Sequence, residues 1–462
     1  MRSRLVALLA LSVLVGSACG ARLTHQQWTA ATRRSGPGSA SQGANGSAAA
    51  GLGSPVSFKP SASAGAAGQQ GNDPAASAAC GAGGTLRATD TGVTPTEIRL
   101  GTVSDVSGVI PGLARSTFQA IQAVAAYINS QGGICGRTVV PDLHDDQTTA
   151  NGNKSATQDA CAQDFALVGS FSAFDDAGAP VVDQMKCPDM TAFTTTAARG
   201  ESNPYTFPIY PNRPDYFVIA SANYMKRIDP DVVRNAAILY LNAGVAATNA
   251  RARVKAYSRV GFRFVYDQAV QVVESNYTPY VEAMKDHNPP VRFFTMVADT
   301  QSIVRVLQAM HQQDWYPKVM QFDLQVYSPQ FLQLAQGTGD GGLFWLNQAM
   351  FEEASHNPEM QLYEQWLQRV TPGAVPDTFG LFAWSAGRLF QQLATAIGRD
   401  LTRAKLVAAL LKEAAWTDHG LHPAMNVAAR LPSPCEVFGE IRTNSFVRRY
   451  PSSGFDCHDG GL

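Results

Sequence analysis

His144, Asp145 and Asp146 are consecutive in the sequence and could bind a metal ion or transfer protons. An imidazole beside two carboxylates supplies ligands that suit a divalent transition metal. The same groups also serve as general acids and bases. They end an extended run, RTVVPDLHDD, which follows a glycine-rich turn. This position predicts a strand that ends in a polar loop.

A second pair, His419 and His422, has a spacing that would place both side chains on one face of a helix. Gly420 and Pro423 interrupt this stretch, so we predict a loop instead. No third ligand is evident for the pair. We therefore expect neither a metal site nor a cofactor.

The motifs of common enzyme active sites are missing from the sequence. It contains no GxSxG nucleophile elbow, no P-loop, no GxGxxG after a strand and no HExxH. We expect a binding protein rather than an enzyme. Catalytic groups meet in space rather than in sequence, so one alternative stays open: a cell-envelope enzyme that uses Asp145, Asp146 or Asp323.

From residue 96 onward, strand patterns alternate with helix patterns. Short apolar runs typical of buried strands include EIRLGTVSD, FALVGSFS, NAAILYLN and VRFFTMVAD. Amphipathic stripes typical of helices include STFQAIQAVAAYINS and TQSIVRVLQAMHQQD. We expect Ser116 or Thr117 to cap the first helix, and Gly132 and Gly133 to end it. The alternation predicts parallel sheets with helices on both faces, and the strands are too many for one sheet.

Polar residues follow five predicted strands, directly after Val103, Val168, Ala192, Val297 and Phe322. Ligands of parallel α/β sheets bind at the carboxyl ends of the strands. The sequence therefore predicts binding loops at these five positions.

The composition is that of a globular protein with little net charge. The chain has 462 residues, of which 45% are hydrophobic and 16% charged, with a formal net charge of -1. Its length suffices for two or three domains. Near-neutral charge argues against a nucleic-acid partner, which requires a basic surface.

The N-terminus has the features of an export signal. Arg2 and Arg4 precede an apolar stretch over 5–15, and GSAC follows, which resembles a bacterial lipoprotein box that ends in Cys19. Gly16 stands where that box usually has leucine, so an ordinary secretory signal cleaved near Ala21 is the alternative. We predict a lipoprotein signal peptide over 1–19 and a flexible Gly/Ala/Ser-rich tether over 20–90. The protein would then be lipid-anchored at the extracellular face of the cell membrane.

Six cysteines remain after Cys19, an even number that favours disulfides in an exported protein. Six cysteines allow fifteen pairings. Proximity in sequence favours two of them and leaves a third by remainder: Cys161–Cys187, Cys435–Cys457 and Cys80–Cys135.

Three stretches of the folded part carry a resemblance to a known family: IRLGTVSDVSG, AVAAYINSQGGICGR and DDQTTANGNKSATQDACAQDFALVGSFS. Their strand before Ser-Gly, their Asn-x-x-Gly-Gly-Ile-x-Gly helix end and their Asp-Asp strand end are similar to the type I periplasmic binding proteins. The resemblance is strongest to the leucine/isoleucine/valine-binding group that feeds ABC transporters. It covers about residues 95 to 450, and the second half matches mainly by the order of its elements.

The resemblance implies an α/β fold of two doubly wound parallel-sheet lobes that are joined by a hinge of three crossings. Lobe one would comprise 96–213 and 351–430. Lobe two would comprise 214–350 and 431–462, with a C-terminal hairpin held by Cys435–Cys457. In the family, the Asp-Asp pair closes a strand, which implies a structural role for Asp145 and Asp146.

The resemblance also implies ligand contacts from two loops of lobe one. Relatives offer a hydroxyl to the ligand carboxylate from the first loop, where Ala173 stands in place of the usual serine. Ser172 or a backbone N–H would substitute. The two loops comprise Ser170, Phe171, Ser172, Ala173 and Phe174, and Thr194, Thr195 and Thr196.

In lobe two, relatives contribute an acidic residue that pairs with the ligand's ammonium group. Asp323 falls nearest that position, and Asp299 lies in the facing loop. We expect Leu113, Phe171, Phe174 and Trp345 to form the apolar side of the pocket, which would suit a ligand larger or more aromatic than valine.

The expected function is capture of an amino acid or similar small organic solute by hinge closure, with delivery to an ABC transporter permease. The alternative from another class is an extracellular domain that senses a ligand and signals to a partner.

Overall fold

The structure is a computed structural model that describes residues 80–81, 85–213, 216–242 and 245–457. The predicted signal peptide (1–19), with Cys19, and most of the predicted tether (20–90) lie outside these residues. Within them, no helix combines the length and the apolar composition that crossing a membrane requires.

The first sheet has four parallel strands in the order β2-β1-β3-β4. Its strands are β1 (Glu97–Ser104), β2 (Thr138–Asp145), β3 (Ala166–Val168) and β4 (Asp189–Met190). β1 and β2 pair over their full length, from Glu97 opposite Thr138 to Ser104 opposite Asp145. The carboxyl ends of these two strands therefore lie side by side, which brings the loops after them together.

The second sheet has seven strands in the order β11-β10-β9-β8-β7-β5-β6. The five strands β5 to β9 are parallel, and the C-terminal hairpin β10–β11 is antiparallel to β9. The strands are β5 (Ala236–Leu241), β6 (Phe264–Val270), β7 (Phe293–Val297), β8 (Val319–Phe322), β9 (Leu343–Leu346), β10 (Val437–Arg442) and β11 (Ser445–Tyr450).

Helices cover both sheets. In chain order they are α1 (Arg115–Ser130), α2 (Ala150–Gln163), α3 (Ala179–Met185), α4 (Ala197–Gly200), α5 (Ala220–Ile228), α6 (Ala246–Val260), α7 (Thr278–Lys285), α8 (Thr300–Gln312), α9 (Pro329–Ala335), α10 (Pro358–Val370), α11 (Thr378–Ile397) and α12 (Arg403–Leu410). Short 3-10 turns lie at Pro230–Val233, Leu324–Val326, Phe351–His356 and Gly398–Asp400.

The chain passes between the sheets three times: before α5, between β9 and α10, and before β10. Helices α10 and α11 return to the first sheet and pack against α1. Helix α11 approaches α1 closely at Gly387, where a Cβ atom would stand 2.4 Å from Cγ1 of Val124. The predicted fold class, two α/β lobes joined by three crossings, is confirmed.

The ends of α1 show one prediction that holds and one that is wrong. Gly132 and Gly133 follow the helix with φ of 92° and 71°, and the N–H of Gly133 donates to the carbonyl of Ile128. Neither Ser116 nor Thr117 caps the start, because both lie inside the first turn. There the Thr117 hydroxyl donates to the Ala114 carbonyl (2.8 Å) instead.

The structure pairs Cys80 with Cys135, Cys161 with Cys187 and Cys435 with Cys457. The first disulfide ties the end of the predicted tether to the turn between α1 and β2. The second closes a segment of lobe one that contains β3 and the loop after it. The third joins the two ends of the segment that contains the β10–β11 hairpin.

Candidate functional site

The loops after β1 and β3 are joined by hydrogen bonds at the carboxyl edge of the first sheet. Asp105, which follows β1, accepts hydrogen bonds from the Ser172 hydroxyl (3.1 Å) and the Ala173 N–H (2.7 Å). Ser104 accepts one from the Phe171 N–H (3.1 Å). The parallel strands bring these residues together as the sequence predicted, but the predicted ligand hydroxyl of Ser172 is bonded within lobe one.

Asp105 lies against Asp146, and both side chains are fully buried. Burial raises the pKa of Asp105 to about 8, and the hydrogen bond and charge of Asp146 add to this effect. Bonds from Ala173 and Ser172 oppose it. Asp146 is itself held by the Thr148 N–H (3.1 Å) and the Asn153 amide (3.0 Å). With the pKa of Asp105 raised in this way, the facing pair holds a proton at neutral pH.

The threonine loop after β4 is bonded to the same region. Asp175 accepts hydrogen bonds from the Thr195 N–H (2.7 Å) and the Thr196 hydroxyl (2.5 Å). The Thr195 hydroxyl donates to the Ser172 carbonyl (2.9 Å), and Thr194 accepts from the Asn212 N–H (3.3 Å). Burial raises the pKa of Asp175 to about 6 against these bonds. These hydroxyls, predicted to meet a ligand carboxylate, hold the loops of lobe one to each other.

An aromatic cluster lies beside these loops. Phe171 stacks on Phe379 at 4.4 Å between ring centroids, and Phe193 stacks on Tyr210 at 4.6 Å. The two pairs meet edge to face, with Phe171 and Phe193 at 5.5 Å. Phe174 is half-buried nearby and donates from its N–H to the Ser172 hydroxyl (3.1 Å). Phe379 was missed by the sequence analysis, because it begins a helix about 200 residues further along the chain.

Asp299 follows β7 and caps helix α8. Its carboxylate accepts from the N–H groups of Gln301 (2.9 Å) and Ser302 (3.1 Å) and from the Ser302 hydroxyl (2.7 Å). The Thr300 hydroxyl donates to the Gln325 carbonyl (2.9 Å), which joins this loop to the one after β8. Asp299 therefore lies at the predicted edge, with its carboxylate engaged by a helix start.

Asp323 follows β8 and forms a buried ion pair with Arg253 of α6. Its other oxygen accepts from Nε1 of Trp345 (3.1 Å), and Arg253 also donates to the Thr295 hydroxyl (2.8 Å). The carboxylate predicted for a ligand ammonium thus has a cation from its own chain. Arg253 was not predicted from the sequence; its signal is a charged residue among the alanines that form the buried face of α6.

A cavity of about 120 Å³ lies between the two sheets. Lobe one contributes the loop after β1 and the start of α11, and lobe two contributes the loops after β7 and β8. Of the predicted ligand residues, Leu113 and Asp299 line this cavity. Its other lining residues are Ile110, Pro111, Gly112, Thr300, Gln301, Leu324, Gln325, Tyr327, Ser328, Gln330, Asp377, Thr378 and Phe379.

The remaining predicted ligand residues lie elsewhere. Ser170, Phe171 and Ser172 border a smaller cavity of about 10 Å³ inside lobe one, beside Arg199. The Ser170 hydroxyl accepts from the Val103 N–H (3.1 Å). Ala173, Phe174, Thr194, Thr195, Thr196 and Asp323 line neither of these two cavities.

The side chains of His144, Asp145 and Asp146 point to different partners. Asp145 accepts from the N–H groups of Val106 (3.1 Å) and Ser107 (3.1 Å) and fixes the loop after β1. His144 faces Asp142 and Asp164 instead, with Nε2 at 3.6 Å and 3.5 Å from one oxygen of each. Arg99 bonds to both of these aspartates.

Among the described residues, two groups of three bring imidazole and carboxylate atoms within 4.8 Å of one another. One is the cluster of Asp142, His144 and Asp164, where Arg99 already supplies a cation. The other is formed by Glu359, Asp418 and His419.

Residues 97–435 match the family model described as periplasmic binding protein. No curated protein matches the chain at the sequence level.

The fold is similar to solved solute-binding proteins. A fatty acid ABC transporter substrate-binding protein from Thermomonospora curvata has a TM-score of 0.67 at 18% identity, with 82% of this chain and 95% of that chain covered. The branched-chain amino acid transporter substrate binding protein LivJ from Streptococcus pneumoniae, in complex with isoleucine, has 0.65 at 14%, with 77% and 100% covered. A leucine binding protein, LivK, from Thermotoga maritima has 0.62 at 12%, with 76% and 97% covered.

The family model spans most of the chain, and the two-lobed fold agrees with that of the solved solute-binding proteins. The resemblance seen in the sequence is confirmed, and the chain belongs to the family of type I periplasmic binding proteins.

Proposed function

We propose that the protein captures a small organic acid with an apolar body between its lobes and delivers it to an ABC transporter permease. The family consists of binding proteins that hold small molecules and work with ABC transporters outside the cytoplasm. The observation that carries the proposal is the cavity of about 120 Å³ between the two lobes.

The polar part of this cavity combines two helix starts with two carboxylates. The starts of α8 and α11 line opposite sides of it. Asp299 and Asp377 cap these helices and also line the cavity, where they accept from the N–H groups of Gln301 and Gly380. The positive ends of the helix dipoles favour a carboxylate and the two aspartates favour hydrogen-bond donors, so the lining suits a ligand that carries both.

The apolar part of the cavity favours a compact hydrocarbon or aromatic body. Phe379 lines the cavity and stacks on Phe171, and Ile110, Leu113 and Leu324 also line it. An engineered apolar cavity of about 150 Å³ holds benzene. A cavity of about 120 Å³ is therefore of a size for a short-chain or single-ring acid.

A ligand ammonium group would meet two carboxylates in this arrangement. Asp299 and Asp377 line the cavity, and each is bonded to a helix start, whereas Asp323 is paired with Arg253 and does not line it. The bonds to the helix starts already stabilise both carboxylates, so they do not require a ligand ammonium group. We therefore extend the amino-acid prediction to acids without an amino group. The fatty acid ABC transporter substrate-binding protein among the solved neighbours is consistent with this extension.

Capture would occur by closure about the three crossings. We propose the division given by the sequence, with 96–213 and 351–430 as lobe one and 214–350 and 431–462 as lobe two. Ligand contacts from both lobes exist together only in the closed state, so a ligand shifts the population toward closure.

The test is a thermal-shift screen with matched pairs of ligands. Isoleucine is compared with 3-methylpentanoate, and phenylalanine with 3-phenylpropionate, on wild-type protein and on Phe379→Ala. A ligand of the folded state raises the melting temperature. We expect at least one of these four ligands to do so, and Phe379→Ala to reduce the shift. Silence from all four would contradict capture of a carboxylate ligand with an apolar body.

We further propose that Cys19 is lipidated and anchors the protein at the extracellular face of the membrane. The support is the GSAC stretch after an apolar run and the Gly/Ala/Ser-rich segment behind it. Expression of Cys19→Ala in the native host is expected to release the protein into the medium, whereas wild type stays with membranes. Equal release of both proteins would contradict the anchor.

A further inference from the structure

His419 lies in a tight turn that directs it away from His422. Asp418 and His419 both have left-handed backbone conformations, with φ of 45° and 55°. The Asn357 amide donates to the Gly420 carbonyl (3.0 Å) and holds the turn against the start of α10. His422 turns inward instead, where its Nε2 meets the Ser385 hydroxyl at 2.8 Å.

Asp418 is the anomaly of this turn. The residue is fully buried, and neither carboxylate oxygen has a hydrogen-bond partner among the described residues. Buried polar groups are nearly always satisfied, and an exception indicates a bound species or a proton. An ionised carboxylate in such surroundings requires a nearby cation. The charge of Arg388 acts on Asp418, but its guanidinium N–H groups donate to Glu359 instead.

Glu359 presents a second carboxylate to the same point. Its Oε1 accepts from Trp384 Nε1 (2.9 Å) and Arg388 Nε (2.8 Å). Its Oε2 accepts only from Arg388 Nη2, at 3.3 Å, and so retains lone pairs for another partner. Trp384 and Arg388 fix the orientation of Glu359 in the way that outer groups orient a metal ligand.

We propose that Glu359, Asp418 and His419 bind one divalent transition-metal ion of the zinc class. One ligand atom from each residue lies within 4.8 Å of the other two. Bonds of about 2.0–2.2 Å to nitrogen and oxygen require the three ligand atoms to lie roughly 3.5 Å apart, so they would move closer together on binding. A nitrogen ligand favours zinc over calcium or magnesium, which prefer oxygen alone. His419 is exposed, so water can complete the coordination.

The site would brace the chain beside the hinge. The Leu421 carbonyl, three residues after Asp418, accepts from the N–H of Ala349 (2.9 Å) in the crossing that follows β9. A metal ion would tie the turn to the start of α10 and thereby fix the residues that hold this crossing. The sequence analysis found no third ligand because Glu359 precedes the turn by almost 60 residues.

The test uses tag-free mature protein freed of metal with a chelator and then dialysed. Zn²⁺ is titrated by isothermal calorimetry, and Co²⁺ by visible absorption, into wild type, Asp418→Asn and His419→Ala. His311→Ala, which removes an exposed histidine from lobe two, is the matched control. We expect one ion per chain for wild type and the control, and at least about 100-fold weaker binding for the two site variants.

Thermal melting supplies an independent readout. Zn²⁺ is expected to raise the melting temperature of wild type and His311→Ala but not of Asp418→Asn or His419→Ala. If Asp418→Asn fails to fold, the exposed His419→Ala variant decides the question. Absence of Zn²⁺ binding to wild type, or binding that His419→Ala leaves unchanged, would overturn the proposal and leave a proton as the partner of Asp418.

Discussion

Arg253 and Asp323 form a buried ion pair at the carboxyl edge of the second sheet. The guanidinium reaches across from α6, and the Thr295 hydroxyl of β7 and the Trp345 indole of β9 complete the bonding. Burial opposes the charge of Arg253, but Asp323 outweighs it and raises the pKa of the guanidinium. The carboxylate expected to meet a ligand thus joins three elements of lobe two.

Removal of the cation from this pair should destabilise lobe two strongly. Arg253→Met leaves the Asp323 carboxylate buried without its charge partner, which costs about 3–5 kcal/mol. Urea unfolding measures this loss. Arg251→Met, an exposed position on the same helix, is the control and should change stability by less than about 0.5 kcal/mol. Equal losses of unfolding free energy in both variants would contradict a particular contribution of the Arg253–Asp323 pair to stability.

The Asp105–Asp146 pair predicts that stability falls as the pH rises. Asp105 has its pKa raised to about 8, above its ordinary value of 3.8, so the folded state retains a proton that the unfolded chain releases. This contribution is fully present below pH 3.8 and is lost as the pH rises through 8. Between pH 6 and pH 9 the free energy of unfolding should fall by about 3 kcal/mol.

Asp105→Asn tests the assignment, because asparagine can donate to Asp146 at every pH. Urea unfolding of the variant between pH 6 and pH 9 should lack the decline seen in wild type. Other titrating groups affect the pH dependence of wild type and variant equally, so the difference between the two reports on Asp105. If the unfolding free energies of both fell equally with pH, the proton would belong to a group other than Asp105.

The sequence predicted what local periodicity and parallel strands determine. β1 and β7 were predicted from short apolar runs, and α1 from its stripe and its terminal glycines. Because parallel strands present their carboxyl ends at one edge, the neighbourhood of the loops after Val103, Val168 and Ala192 followed without knowledge of any contact.

Contacts between distant segments were beyond local patterns. Arg253 and Asp323 are 70 residues apart, and no property of either loop indicates that one neutralises the other. Phe379 reaches Phe171 from a helix that returns to lobe one after the segment that contains β5 to β9. Side-chain partners of this kind depend on how helices and strands pack in space. The pattern within a short stretch of sequence does not reveal that packing.

His144 predicts a second pH dependence, in lobe one. Burial opposes protonation, but the bond to Asp164 and the charges of Asp142 and Asp164 outweigh it and raise the pKa of His144. Its stabilising contribution is therefore fully present below pH 6.5 and is lost as the pH rises through the folded value. NMR titration of the His144 ring should show the raised pKa directly.

The stability of His144→Gln provides the matching measurement. The difference in unfolding free energy between wild type and this variant should be larger at pH 5.5 than at pH 8. His311→Ala, an exposed histidine in lobe two, is expected to show no such difference. If the difference in unfolding free energy between wild type and His144→Gln stayed constant with pH, the variant would remove the packing of the imidazole and not its charge.

The Cys161–Cys187 disulfide in lobe one should stabilise the protein because it restricts the unfolded chain. It encloses β3 and the Ser170–Phe174 loop, and its two cysteines have a sequence separation of 26. Chain-entropy arguments give about 3 kcal/mol for a loop of this length, so Cys161→Ala/Cys187→Ala should lose about that amount in urea unfolding. Cys435→Ala/Cys457→Ala opens a loop of similar length, with a separation of 22, and is the matched comparison. If Cys161→Ala/Cys187→Ala alone lost less than about 1 kcal/mol of stability, the unfolded chain would retain contacts around β3 that already restrict it. The covalent link would then add little.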